Sequence, residues 1–249
     1  MFRRLLLSAA LVLLVALNGA SGARPQLDRA RLTLWAWERP EQLRFIQSHD
    51  VGVAFLAGTV YLDDHPVFRP RLQPLQVNSQ TPLTAVVRLE LTPRTPNVAT
   101  PNYTALVVRH ILQAQDFNRV RAVQIDFDAT RSQRAFYRDL LKDLRAQLPP
   151  RTTLSITALG SWCLGDDWIS DLPIGEAVPM LFRMGIDRGN ILRALQAGED
   201  FHEPLCRSSV GISTDEPWPE KLTDRHIYIF NPHAWNSTSF DLVSRKLAP

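Results

Sequence analysis

Two aspartates with a single residue between them are the strongest candidates for chemistry in this chain. Asp126 and Asp128 alternate with Val123, Ile125 and Phe127, and this spacing of two predicts a strand with both acids on one face. A predicted helix follows at once, which indicates a parallel strand covered on both faces. Carboxylates on a covered face are costly unless they are paired or used.

Paired carboxylates are the groups that most glycosidases use to hydrolyse glycosidic bonds. One carboxyl group is protonated near neutral pH, and a second carboxylate lies across the scissile bond. Neighbouring acids disfavour each other's ionisation, so one of the two has a raised pKa and can act as the acid. We predict that Asp128 is the acid or base and that Asp126 tunes it.

The second carboxylate is expected at the end of another strand. Asp215 and Glu216 follow a later predicted strand and are the predicted partners, with Glu90 as a further candidate. The alternative is that Arg88 or Arg183 pairs with these acids in an inert network.

Tryptophans gather at the same places as the acids. All six lie on or just after predicted strand ends: Trp35, Trp37, Trp162, Trp168, Trp218 and Trp235. Flat ring faces suit the apolar faces of sugars, although large aromatics also fill cores, and Trp35 is expected to do so. The residues predicted to bind substrate are Trp37, Glu90, Trp162, Arg183 and Trp235.

Alternating strands and helices must position these residues. Eight strands are predicted at residues 32–38, 52–61, 83–91, 123–129, 153–159, 177–184, 208–215 and 226–230. Helices are predicted from Pro40, from Thr100-Pro101, over 131–148, from Asp187 to Gly198 and from Asn236, while the proline-rich stretch 62–82 is predicted to be an excursion without a helix. This order predicts an α/β fold, a compact (β/α)8 TIM-type barrel in one domain. An open doubly wound sheet is the alternative, but no GxGxxG or P-loop motif opens a helix.

The first residues have the order of a secretory signal peptide. Arg3 and Arg4 precede an apolar run over 5–17 and small residues over 19–23, so we predict a signal peptide over 1–23 and the barrel over 24–249. A retained anchor is the alternative, but the run is shorter than the roughly 20 residues that a membrane span needs. We therefore expect an exported protein, periplasmic or secreted, that is monomeric and has no stable membrane span after cleavage.

The net charge and the two cysteines limit which partners and which kinds of site are expected. The formal net charge of +3 falls to about +1 without Arg3 and Arg4, and no basic stripe is present, so nucleic acid is not an expected partner. We expect Cys163 and Cys206 to form a disulfide, with a thiol nucleophile or a structural metal site as alternatives. Cys163 follows a strand end and Cys206 precedes a strand start, which are opposite ends of a parallel barrel. A bridge therefore requires the connection after Gly198 to reach the end of the barrel at which Cys163 lies. No cofactor and no metal are expected.

Two family resemblances start from the same strand. Asp126-Phe127-Asp128 is similar to the D-x-D-x-E motif of the chitinase-like family 18 glycosidases, which implies a barrel and a saccharide substrate. In that family the final glutamate is the general acid, and here Thr130 stands in its place. Thr130 with Gln133 instead resembles a capping box that opens the next helix.

A broader resemblance involves five segments. The chain resembles a bacterial family of exported proteins, a domain of unknown function, in residues 35–40, 124–129, 157–159, 182–185 and 215–217. This resemblance implies a bacterial envelope setting and brings no activity with it. The leading hypothesis is therefore a glycoside-hydrolase-like barrel that acts on an envelope or extracellular saccharide. The alternatives are a barrel that binds a saccharide without cleaving it, and an envelope scaffold protein.

Overall fold

A computed structural model describes residues 32–96, 99–113, 118–219 and 225–247. The predicted signal peptide over residues 1–23 lies outside the described residues. Within the described ranges, no helix is both long enough and apolar enough to cross a membrane.

Strands and helices alternate through most of the described chain. The strands are β1 (Leu32–Ala36), β2 (Glu41–Gln42), β3 (Val51–Leu62), β4 (Val67–Pro70), β5 (Leu75–Gln76), β6 (Leu83–Leu91), β7 (Ala122–Asp126), β8 (Thr153–Leu159), β9 (Glu176–Met180), β10 (Ser209–Ser213) and β11 (His226–Phe230). The helices are α1 (Pro101–Gln113), α2 (Arg134–Gln147), α3 (Gly160–Gly165), α4 (Arg188–Gln196) and α5 (Ser237–Leu247).

Eight of the strands close into a parallel barrel. In chain order β1, β3, β6, β7, β8, β9, β10 and β11 each pair in parallel with the next. The last strand then returns to the first, since Leu32 of β1 pairs with both Ile227 of β11 and Val51 of β3. The predicted TIM-type barrel is confirmed, and the open-sheet alternative is wrong.

The helices pack on the outside of the barrel. Helices α1, α2, α3 and α4 follow β6, β7, β8 and β9, and α5 follows β11. The predicted apolar stripe of α2 is buried at Leu140, Leu141 and Leu144, which pack with Ile125 of β7 in the main core. The described residues of the connections after β1, β3 and β10 contain no α-helix.

A second, smaller apolar cluster fills the inside of the barrel. Trp35 of β1 packs there with Val86, Val178 and Tyr228 from other strands, as expected for this tryptophan. Gly211 of β10 leaves room for the indole ring, because a Cβ at this position would lie only 3.1 Å from Trp35 Cη2. This cluster forms the floor of the barrel's carboxyl-terminal mouth.

The helix predicted from Pro40 is wrong. Glu41 and Gln42 instead form β2, which pairs in parallel with β5. The backbone N–H of Leu43 donates to Gln76 O at 2.7 Å, and the Leu43 side chain is buried without a helix. The stretch 62–82 is non-helical, as predicted, and its β4 returns antiparallel to β3 as a hairpin.

Candidate functional site

A cavity of about 300 Å³ opens at the carboxyl-terminal ends of the barrel strands. Its polar side is formed by Arg88, Asp126, Asp128 and Thr157, which lie on or after the neighbouring strands β6, β7 and β8. Its aromatic side is formed by Trp35, Trp37, Phe182 and Phe230, which lie on or after β1, β9 and β11. The cavity is therefore polar on one side and apolar on the other.

Asp126 is the most deeply placed acid of the cavity. Its Oδ1 accepts a hydrogen bond from Thr157 Oγ1 at 2.8 Å, its Oδ2 lies 3.8 Å from Arg88 Nη1, and only 14% of its side chain is exposed. Burial raises the pKa of Asp126, and the charge of Asp128 adds to this, while Thr157 and Arg88 act to lower it. Asp126 is thus held partly towards its protonated form.

Asp128 lies two residues further along and lines the same cavity, as the strand period predicts. It is exposed, and it makes no hydrogen bond or ion pair with any residue that the structure describes. Its carboxylate therefore faces the mouth, where a ligand can reach it. The pair combines a buried acid with an accessible one.

The aromatic side is a continuous set of ring contacts. Phe182 and Phe230 stack in parallel with centroids 5.7 Å apart, and Trp37 meets Phe230 edge to face at 6.1 Å. The guanidinium of Arg88 lies 5.7 Å from the Trp37 ring, and that of Arg183 lies 5.0 Å from the Phe230 ring. Such a wall offers flat apolar faces with cations at its edges.

Asp215 and Glu216, predicted as catalytic, lie outside this cavity. Asp215 accepts a hydrogen bond from Ser213 Oγ, which lowers the pKa of its carboxyl group, and its Oδ2 is 3.9 Å from Arg183 Nη2. Glu216 accepts from the backbone N–H of Arg183 at 2.9 Å and forms an ion pair with Arg188. Both acids therefore contact arginines of the segment from the end of β9 to the first residue of α4.

Two of the predicted tryptophans are buried away from the cavity. Trp162 is 4% exposed and packs edge to face on Trp168 with ring centroids 4.9 Å apart, between α2 and α3. Trp235 is 3% exposed, and its indole N–H donates to Trp35 O at 2.9 Å. Both fill the core, so the prediction that they face a ligand does not agree with their positions.

Glu90 occupies an intermediate position. It lines a separate depression of about 150 Å³ that shares Arg88, Asp126 and Asp128 with the main cavity. Of the predicted substrate-binding residues, Trp37 and Arg183 line the main cavity itself. Glu90 lies beside the main cavity, at the ends of β6 and β7.

Sequence reasoning missed three residues of the cavity. Phe182 and Phe230 line the cavity and are not among the tryptophans predicted to bind substrate, although Phe230 shares the period-two face of Tyr228 on β11. Asp187 was predicted only as a helix cap, but its side chain makes no capping hydrogen bond to α4 and lines the cavity. Asp187 is thus a third acid at the mouth.

Cys163 and Cys206 form a disulfide in the structure, with Cα atoms 5.9 Å apart. The connection after Gly198 does reach Cys163, because the backbone N–H groups of His202 and Glu203 both donate to Cys163 O. Within the described ranges, no group of three or more His, Cys, Asp or Glu side chains is placed to hold a metal ion.

Comparison with known families supports one resemblance. Residues 79–172 match the model of a domain of unknown function, DUF3142. This segment runs from just before β6 to the loop after α3 and therefore contains Asp126 and Asp128. The predicted resemblance to a family of unknown function is confirmed over these residues. A search of the curated proteins gave no match.

Solved structures with related architecture were also found. The spore cortex-lytic enzyme SleL of Bacillus cereus aligns with a TM-score of 0.49 and 15% identity over 86% of this chain, which spans 58% of that protein. The chitinase domain of the spore coat protein CotE from Clostridium difficile gives 0.47 and 12% over 77% of this chain and 67% of its own. Concanavalin B gives 0.45 and 11% over 81% and 93%. The barrel assignment here follows from the strand pairing alone.

Proposed function

We propose that this barrel is a glycoside-hydrolase-like protein whose cavity binds a saccharide. The observation that carries the proposal is the division of the cavity into an aromatic side and a side with two aspartates. A sugar ring has the same division, with apolar C–H faces and a polar edge of hydroxyl groups. Trp37 and Phe230 would pack on the face, and the acids would meet the glycosidic edge.

The proposed chemistry uses Asp126 and Asp128 as a coupled pair. Because burial raises the pKa of Asp126, the pair retains a proton at a higher pH than two independent aspartates would. Asp128 is the exposed member and can reach the leaving oxygen; it would receive the proton from Asp126 through one bridging water and pass it to that oxygen. Asp187, which lines the same cavity, takes the place that was predicted for Asp215 or Glu216 as the second carboxylate.

The test incubates the protein with a panel of envelope and extracellular polysaccharides and measures hydrolysis as the release of reducing ends. Asp128→Asn keeps the shape of the side chain but cannot exchange the proton, so turnover should fall by at least about 100-fold. Asp143→Asn, on the exposed face of α2, is the matched control and should retain full turnover. Asp128 is exposed and unpaired, so its replacement should leave the thermal transition unchanged.

A second candidate function is saccharide binding without cleavage. Thr130 favours it, because this residue stands where the family 18 glycosidases have their general acid, and its backbone N–H donates to Gln133 Oε1 at 2.8 Å. The arginine contacts that hold Asp215 and Glu216 outside the cavity favour it as well. Wild-type protein that binds a glycan but releases no product would support this candidate. Turnover that survives Asp128→Asn would contradict the assignment of Asp128.

We also propose that the barrel works outside the cytoplasm. The disulfide between Cys163 and Cys206 supports this, because such bridges persist in oxidising compartments. The predicted leader over residues 1–23 is consistent with the same setting.

A further inference from the structure

Arg183 has a backbone conformation that side chains rarely adopt. Among the described residues, positive φ angles occur at Arg183, Gly185 and Gly198, with 52° at Arg183. For a residue with a Cβ atom this left-handed conformation is strained, and strain of this kind persists only where the surroundings impose it. Strained residues of this kind cluster at functional sites.

Glu216 imposes the conformation. One carboxylate oxygen accepts the Arg183 backbone N–H at 2.9 Å, and the other is bound by Arg188 at the start of α4. The carboxylate therefore joins the strained turn to the helix that follows it. Glu216 is a positioning residue for Arg183.

The strained turn brings the Arg183 side chain to the cavity. Its guanidinium carbon lies 5.0 Å from the Phe230 ring centroid, and Phe230 is in turn stacked on Phe182. The side chain is 59% exposed and lines the cavity. The cation–π contact favours a position of the guanidinium over the Phe230 ring, at the edge of the cavity.

The Arg183 guanidinium forms a long ion pair with Asp215, but its N–H groups donate no hydrogen bond within the described part of the chain. The carboxylate paired with it, Asp215, is 3.9 Å away, beyond hydrogen-bonding distance, and is already hydrogen-bonded to Ser213. The other cavity arginine, Arg88, lies at a similar distance of 3.8 Å from Asp126, but that carboxylate is 14% exposed whereas Asp215 is 44% exposed, so Arg88 is the arginine that offsets a buried charge. Arg183 presents a planar set of N–H donors that is free to receive a ligand.

We propose that Arg183 binds an anionic substituent of the ligand, so that the cavity selects acidic saccharides. This inference rests on the proposed function, in which the cavity binds a saccharide. A guanidinium binds carboxylate, phosphate and sulfate groups through two parallel N–H···O bonds, and neutral sugars offer no such group. Because Asp128, which follows β7, repels an anion from its side of the cavity, the substituent also fixes the direction of the saccharide.

The experiment measures binding to an array of neutral, carboxylated, phosphorylated and sulfated oligosaccharides. Wild-type protein should bind acidic glycans at least about tenfold more tightly than neutral glycans with the same rings. Arg183→Gly accepts the positive φ without strain and should lose that preference, so that it binds acidic glycans no more tightly than neutral glycans with the same rings. Arg151→Ala removes an exposed arginine just before β8 and is the matched control.

The outcomes separate this inference from the proposed function. Equal wild-type binding of neutral and acidic glycans, or an acidic preference that survives Arg183→Gly, would overturn the inference and leave the saccharide site standing. Failure to bind any glycan would overturn both. A preference confined to carboxylated or to phosphorylated and sulfated members identifies which anion the guanidinium receives.

Discussion

The burial of the Asp126 carboxylate is the main electrostatic cost of the cavity. A carboxylate at the end of a central barrel strand loses most of its hydration, and Arg88 at 3.8 Å and one hydroxyl donor compensate for it only partly. The result is a raised pKa, which is a useful property for a group that must hold a proton. The same property has a measurable effect on stability.

We predict that Asp126 lowers the stability of the protein as pH rises. Because its folded pKa is raised, the folded state binds more protons than the unfolded state between the ordinary pKa and the raised one. The free energy of unfolding therefore falls with rising pH across that window. Asp126→Asn, which still offers an oxygen to Thr157, should lack this fall and be the more stable protein at neutral pH.

Denaturant unfolding of both proteins at a series of pH values, starting below pH 4, measures this effect. The two free energies should converge at low pH and separate as the pH rises. Asp143→Asn on the surface of α2 should follow the wild type throughout. Parallel curves for wild type and Asp126→Asn would show that burial does not shift this carboxyl group.

How much of the site could be predicted depends on how each residue is attached to the barrel. Asp126 ends β7 and Trp37 directly follows β1, where the period of two settles their face. Asp128 keeps this period two residues past β7, whereas Asp215, equally far past β10, lies outside the cavity. Asp215 and Glu216 lie past the end of β10, and their directions depend on contacts with Ser213 and with the loop after β9. Those contacts join distant parts of the chain and leave no local pattern.

The excursion between β3 and β6 stabilises the mouth of the cavity through hydrogen bonds to the end of β1. Arg71, in the turn after β4, donates to the backbone oxygens of Ala36, Trp37 and Arg39 at the end of β1. Glu38 completes the contact by accepting the backbone N–H of Leu72 at 3.0 Å. The end of β1 lacks a following helix, and this arginine supplies the donors instead.

We predict that Arg71→Ala destabilises the protein and weakens ligand binding together. The change leaves several half-buried carbonyl oxygens without a donor, at a cost of about 3 kcal/mol. Trp37, whose carbonyl oxygen is one of them, would no longer be fixed beside Phe230, so saccharide affinity should also fall. Denaturant unfolding and glycan binding measure the two effects.

Arg69→Ala is the matched control, because Arg69 lies on the same hairpin, is exposed and only covers the Tyr61 ring. It should change neither measurement appreciably. If Arg71→Ala retained wild-type stability and affinity, the excursion would have no part in ordering the mouth.

The elements themselves were predictable wherever apolar periodicity was strong. Strands 83–91, 153–159 and 226–230 were predicted with the bounds that the structure has. The helix predicted from Pro40 failed because tertiary partners override local preference there. Glu41 is buried, binds Arg39 and accepts the backbone N–H of Trp235 at 2.9 Å, which holds the segment extended.

At the scale of the whole molecule, the two ends of the barrel differ in how their polar groups are satisfied. At the amino-terminal end, Thr33 is hydrogen-bonded to His226 at 2.8 Å, and the Tyr228 hydroxyl donates to Glu176 at 3.0 Å. At the other end, Asp128 and the Arg183 guanidinium face open space. This asymmetry is typical of barrels whose carboxyl-terminal face carries function and whose opposite face carries stability.

The disulfide is the covalent contribution to that stability. Cys163 and Cys206 are 43 residues apart, and a bridge over a loop of this length restricts the unfolded chain by about 4 kcal/mol. Both cysteines are fully buried, so the bridge ties α3 to the connection before β10 from within the core. We predict that its loss lowers the free energy of unfolding by about this amount.

The measurement compares wild type, with and without reductant, against the double variant Cys163→Ala/Cys206→Ala. Reductant should destabilise the wild type and increase its mass by that of two hydrogen atoms. It should change neither the stability nor the mass of the variant. Because neither cysteine lines the cavity, glycan binding by the folded variant should persist below its lowered transition temperature. A wild type that reductant neither destabilises nor makes heavier would show that the two thiols are unpaired in solution, and would remove the support that the bridge gives to an exported protein.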